Sequence, residues 1–546
     1  MAESSPSLPQ VVTAARAAFS GAASPTSFLP LGAVVHEGVA HPEPIVGLPF
    51  AMLNRHGLIA GATGTGKTKT LQLMAERLSA AGIPVFVCDV KGDLQGLATP
   101  GAASARVEQR ALETGTTWQP TGCPIELFSL SGNLGAQLRA TVSSFGPLAL
   151  AKVLGLNDTQ SSVLALVFKY CDDKQLPLLD FKDLRAVLNH LTGDGASALA
   201  EYGGISKSSV GVLLREMVAL EQQGAGAFFG EPELELEDLF QVETDGRGRI
   251  SILELSDVQD KPALSSTFMM WMLAEIYQQL PEVGDLDRPK LVFFFDEAHL
   301  LFRDASKAFL SQVEQVIRLV RSKGIGVFFV TQSPKDVPAE ILGQLGNRVQ
   351  HALRAFTPDD EKALRAAART FPKTPFYDVP STLTSLGIGE ALVTVLSASG
   401  IPSPPFATRI APPASRMAPL TPAELQPHLQ TAQVAHYARP VDRVSAHEML
   451  AARLRPPAPP PPDAVPPRSG RDPDPEEIDT DAYGEPPRET SGPRSRPRPP
   501  APDQEDNAWT DVLSSPIAKS IAKEVTRGLM GALLGKRPRR RRTRLW

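Results

Sequence analysis

The chain has 546 residues, 42% of them hydrophobic, which is enough for a large core and more than one domain. A formal net charge of -5 excludes a uniformly basic surface, so any nucleic-acid binding has to be local. Cys88, Cys123 and Cys171 have no metal-type spacing and exclude a disulfide framework. No apolar run reaches the roughly 18 residues of a membrane span, and Arg16 interrupts the only signal-like stretch, so a cytoplasmic location is expected.

Residues 1–27 are small and polar and are expected to be disordered. Residues 28–55 contain Ala33-Val34-Val35 and Ile45-Val46-Gly47-Leu48 between Gly and Pro, and they read as a short β-element beside the main domain. That domain is expected over 56–412. His56-Gly57-Leu58-Ile59-Ala60 reads as a buried strand that runs into Gly61-Ala62-Thr63-Gly64-Thr65-Gly66-Lys67-Thr68. This is the G-x-x-x-x-G-K-T phosphate-binding loop. Its glycines let backbone N–H groups point inward around phosphate oxygens, and the next helix aims its positive end at the same anion. Lys67 is placed to reach the β- and γ-phosphates of ATP, and the Thr68 hydroxyl to bind Mg²⁺. Leu71, Met74 and Leu78 recur at helical spacing, and Gly82 ends the run.

Ile83–Cys88 is an apolar run of the kind found in strands covered on both faces. It leads into Asp89-Val90-Lys91-Gly92-Asp93-Leu94, either an active-face loop or a solvated turn. Residues 135–247 read as a largely helical insertion, with apolar residues three and four apart in Ser161–Cys171, Phe181–Leu191 and Ser208–Leu220. Strands are predicted at Arg249–Leu255, Leu291–Phe295, Gly326–Thr331 and Arg348–Leu353, and helices between them. This alternation predicts an α/β fold around a mainly parallel sheet. Thr357-Pro358-Asp359-Asp360 reads as a helix start, and Ala391–Leu396 with Phe406–Ile410 as a closing hairpin.

Leu291-Val292-Phe293-Phe294-Phe295-Asp296-Glu297 has the form of a Walker B strand. Asp296 is the expected Mg²⁺ ligand, and Glu297 the residue that polarises the attacking water. His299 completes an Asp-Glu-Ala-His string, but the other motifs of DEAH-box helicases do not follow in order, so His299 reads as a supporting or packing residue. Gln332 ends the strand after Walker B and is the candidate γ-phosphate sensor. The helix between them ends in Arg318, Arg321, Lys323 and Gly324. Such cations suit a helix C-terminus, but Arg321 is also the candidate to reach a neighbouring subunit's nucleotide, with Arg318, Arg348 and Arg354 as rivals.

Taken in order, the phosphate loop, the Asp89–Leu94 string, Phe295–His299, and Arg321-Ser322-Lys323-Gly324-Ile325-Gly326 running into Thr331-Gln332-Ser333-Pro334 make residues 28–412 resemble the HerA/FtsK group of P-loop motor ATPases. Within it the chain is most similar to the bacterial HerA-like proteins. The resemblance implies a RecA-like core, hexameric rings, ATP hydrolysis between subunits and movement on double-stranded DNA. It also implies a nuclease partner, but only residues 28–55 stand where HerA carries a β-barrel, which counts against that partner here. A transport ATPase for protein or conjugation, or a slow nucleotide-dependent switch, shares the same core.

Of the 51 prolines, most follow residue 400, so 413–506 reads as a disordered Pro-rich linker. Residues 507–535 hold an amphipathic helix opened by Ser515-Pro516, with Ile517, Ile521, Val525 and Leu529 at four-residue intervals. Residues 536–546 form a basic tail suited to nucleic-acid phosphates, to an anionic membrane surface, or to solvent beside a docked helix.

Overall fold

Among the described residues, twelve strands, several of them rich in β-branched and aromatic residues, form a single sheet. The computed structural model describes residues 9–19, 27–303, 307–397 and 399–454. In chain order the strands are β1 (Phe28–His36), β2 (Val39–Pro49), β3 (Gly57–Ala60), β4 (Val85–Asp89), β5 (Ile125–Ser129) and β6 (Ala136–Gln137). They continue with β7 (Ile250–Glu254), β8 (Leu291–Phe295), β9 (Ile325–Thr331), β10 (Asn347–His351), β11 (Glu390–Thr394) and β12 (Phe406–Ile410). The spatial order is β2-β1-β12-β11-β10-β3-β9-β8-β4-β7-β5-β6. From β10 to β6 all neighbours are parallel, and β11, β12, β1 and β2 add an antiparallel edge.

Among the parallel strands, β3, β4, β8 and β9 are buried throughout, which explains why they read as mostly apolar runs. In β8, Phe293 and Phe295 enter one core and Phe294 the other. Each such ring contributes about 1.5–3 kcal/mol through burial. On the first face lies the helix Pro262–Gln279, whose Trp271 meets Phe228 edge-on at 6.0 Å. Around it stand the helices Val142–Val153, Asp158–Lys174, Phe181–Thr192 and Lys207–Leu220. The other face is covered by α1 (Gln10–Phe19) and α2 (Lys67–Ala80).

Three expectations change. Residues 1–27 are not uniformly without structure: α1 buries Val11, Val12, Ala15 and Phe19, and Phe19 meets Phe406 edge-on at 5.6 Å. A spacing of small residues left its apolar face inconspicuous. Residues 28–55 are not an element apart, because β1 pairs with β12 in the register Gly32↔Ile410 and widens the same sheet.

Residues 413–454, read as linker, pack on the domain. Buried Glu76 accepts from the amides of Ala414 and Ser415 at 2.8 Å each. Tyr437 is fully buried; its hydroxyl donates to Asp238 Oδ2 at 2.7 Å and accepts from the Glu235 amide at 3.1 Å. Polar anchors of this kind leave no periodic signature. The rest of the linker, the helix at 507–535 and the tail at 536–546 lie outside the described residues. Among the described residues no helix is long and apolar enough to cross a membrane.

Candidate functional site

The phosphate loop leaves β3 between β10 and β9, and neighbours on both sides hold it. The Gly61 amide donates to Thr331 O at 3.2 Å, the Ala62 amide to Ala352 O at 2.9 Å, and Gly389 N to Thr65 O at 2.9 Å. Gly66 has φ 120°, and a Cβ there would stand 3.2 Å from Gly389 Cα, so the position requires glycine. Gly66 precedes the first residue of α2 and offers no side-chain cap, and the first turn holds no acid. The opening N–H groups of α2 are therefore available to an anion. Lys67 is buried, its Nζ donates to Ala62 O at 3.2 Å, and burial draws its pKa down.

Strand β9 separates β3 from β8, so Lys67 and the Asp296–Glu297 pair, 229 positions apart (296 − 67), open on the same edge of the sheet. This is the carboxyl edge, where open α/β sheets place ligands. Asp296 is buried and its Oδ2 has no hydrogen-bond partner. Burial and then the charge of Glu297 push its pKa up to about 7. An orphaned, destabilised carboxylate of this kind fits a divalent cation that would restore its charge. Among the described residues no cluster of three or more His, Cys, Asp or Glu forms a metal cage. A site of one carboxylate, the Thr68 hydroxyl and substrate phosphates matches the habit of Mg²⁺. Bound there, the ion would neutralise charge developing on the phosphate oxygens.

Glu297 stands at φ 48°, and the Ala298 amide ties the turn to Val330 O on β9 at 2.8 Å. Burial opposes its charge, but the Lys91 ammonium, bonded to Oε1, together with His299 and Lys67 holds its pKa below the usual range. His299 Nδ1 lies 3.2 Å from Oε2, and the geometry makes no hydrogen bond between them. Lys91 belongs to the Asp89–Leu94 string, and its place in the linear sequence points to no role. Its contact depends on β4 lying beside β8, which the linear sequence does not display. His351 was also missed: buried and uncharged, it bonds Thr70 Oγ1 and Glu390 O at 2.9 Å each behind the loop.

Gln332 follows Thr331 at the carboxyl end of β9, exposed and next to the phosphate loop. Arg321 lies before the other end of that strand. The seven residues of β9 span on the order of 20 Å, so Arg321 does not reach the phosphate loop of its own chain. Instead it lines a cavity of about 580 Å³ with Arg55, His56, Arg318 and Arg348. Exposed Asp285 lies 3.6 Å from Arg321 and 3.7 Å from Arg55, so one carboxylate serves two guanidiniums. Arg318 pairs with Glu314 on its own helix, and Arg348 bonds the Leu342 carbonyl at 3.4 Å. Arg354 is exposed after the carboxyl end of β10.

A phosphate-binding loop and a Walker B pair meeting across β9 define a P-loop nucleoside-triphosphatase fold. The family described as Helicase HerA-like C-terminal matches residues 36–542, and the chain belongs to that family. It is 21% identical over 362 residues to the DNA double-strand break repair helicase HerA of Sulfolobus acidocaldarius, covering 62% of each chain. A second HerA, from Sulfurisphaera tokodaii, is 22% identical over 351 residues, again with 62% of each chain covered. The chain thus spans less than two thirds of the length of these curated relatives. Among solved structures it is similar to the bacterial conjugative coupling protein TrwBdeltaN70, with 15% identity, 73% of this chain and 96% of that chain covered, and a TM-score of 0.47.

Proposed function

We propose that this chain is an Mg²⁺-dependent, ATP-hydrolysing motor of the HerA/FtsK type that forms a hexameric ring in the cytoplasm and moves on double-stranded DNA. The observation that carries the reading is the meeting of Lys67 with the Asp296–Glu297 pair on one sheet edge while Arg321 faces away at the other. In this reading Gly61–Thr68 cradle the triphosphate, Thr68 and Asp296 hold the metal, and Glu297 takes the proton of the attacking water. Gln332 senses the γ-phosphate. Arg321 enters the site of the next subunit, which its distance from its own loop favours. The two HerA relatives are named as DNA repair helicases, which supports DNA as the track.

The test is steady-state ATP hydrolysis with and without linear duplex DNA, using Glu297→Gln as control. Stimulation by DNA that the variant abolishes is expected. Turnover indifferent to DNA would turn attention to a protein substrate or to a switch role. A species other than a six-subunit ring in sedimentation would remove the hexamer.

A further inference from the structure

Asp89 closes the turn after β4 with its own carboxylate. Its Oδ1 accepts from the amides of Lys91 and Gly92 at 3.0 and 2.8 Å, and Oδ2 from Leu94 at 2.8 Å. Gly92 takes φ 73°, a conformation that side chains disfavour. The turn is therefore well fixed, and it sends the Lys91 side chain across to the end of β8. There the ammonium pairs with Glu297 Oε1. The Glu297 side chain is 7% exposed and the Lys91 side chain 48%, so the lysine is the partner with room to move.

A carboxylate that receives a proton from water needs an oxygen in contact with that water. Here Oε1 is engaged by an ammonium, and Oε2 is buried beside His299 Nδ1, 3.2 Å away. The Lys91 charge already acts on Lys67, so a γ-phosphate arriving beside Lys67 brings a second and stronger anion within the neighbourhood of the same cation, which stands on a flexible four-carbon stem. A diphosphate brings no such group.

We propose that Lys91 is a positioning residue that holds Glu297 aside in the nucleotide-free chain and passes to the γ-phosphate when a triphosphate binds, leaving Glu297 free to meet the water. This rests on the role given to Glu297 above. Two anions then compete for one cation, so removing the carboxylate strengthens triphosphate binding only where the lysine is present.

The experiment is calorimetric titration of the full chain with ATPγS and with ADP, both with Mg²⁺, as a double-mutant cycle. Glu297→Gln is expected to tighten ATPγS relative to ADP by about tenfold, and the gain is expected to vanish in the Lys91→Met background. Lys91→Arg, which keeps the charge, is expected to preserve it. Unchanged ADP affinity in each variant reports an intact phosphate loop. An equal gain with and without Lys91 overturns the proposal, as does an ATPγS preference that Lys91→Met leaves unaltered. Glu297→Gln turning over ATP at the wild-type rate would instead remove the general-base reading, an outcome separate from the binding cycle.

Discussion

The Gly61 amide donates to the Thr331 carbonyl at 3.2 Å, and this bond sets the end of β9 against the start of the phosphate loop. Gln332, the next residue, is exposed on that edge. Gln332→Ala is expected to lower kcat on the order of 10²-fold, the cost of losing one preorganised donor, with KM for ATP little changed. Steady-state kinetics decide it. A rise in KM with kcat intact would make Gln332 a ground-state contact.

Arg321 and the phosphate loop of its own chain are separated by the length of β9. Arg321→Ala is expected to reduce turnover by about 10³-fold or more, the scale of a trans arginine. Mixing it with Lys67→Ala, itself inactive, is expected to recover activity, because each variant lends the other its intact half. No recovery in mixed assemblies whose exchange is verified would count against action in trans.

Tyr437 anchors the 413–454 segment through Asp238 and the Glu235 amide. Tyr437→Phe takes the hydroxyl away from the half-buried Asp238 carboxylate and from the Glu235 amide and is expected to cost about 1 kcal/mol in urea unfolding. An unchanged midpoint would mean that the segment is not held by this contact.

Glu275, buried in the helix Pro262–Gln279, has its pKa raised from 4.5 to about 7 by burial and then by the charge of Glu233, against a bond from Gln279. Because the folded value lies above the unfolded one, its contribution to stability is fully present below pH 4.5. That contribution is lost as pH rises through about 7. Glu275→Gln is expected to flatten the fall in melting temperature between pH 5 and pH 8. An identical fall in the variant would assign it to other carboxyls.

The strands β3, β8 and β9 were legible because burial on both faces gives unbroken apolar runs, and the phosphate loop because its glycine spacing is itself the chemistry. Three features depended on contacts between distant positions. Lys91 meets Glu297 206 positions away because β4 and β8 are neighbours. α1 has four buried residues among small ones, too little contrast to read as a docked helix. Residues 413–454 hold on through Glu76, Asp238 and Asp183, acids that in a linear sequence look solvated. β5 is five residues long and follows Pro124, which gave it no pattern to stand out.

Strand β9 is bonded to β3 on one side and β8 on the other and is buried at all seven residues, so it has no soft point along its length. A shift of Gln332 would pull on a strand held by neighbours on both sides. The far end of that strand follows the turn that carries Arg321. In the ring proposed above, each such strand would join the Gln332 of one site to an Arg321 facing the next.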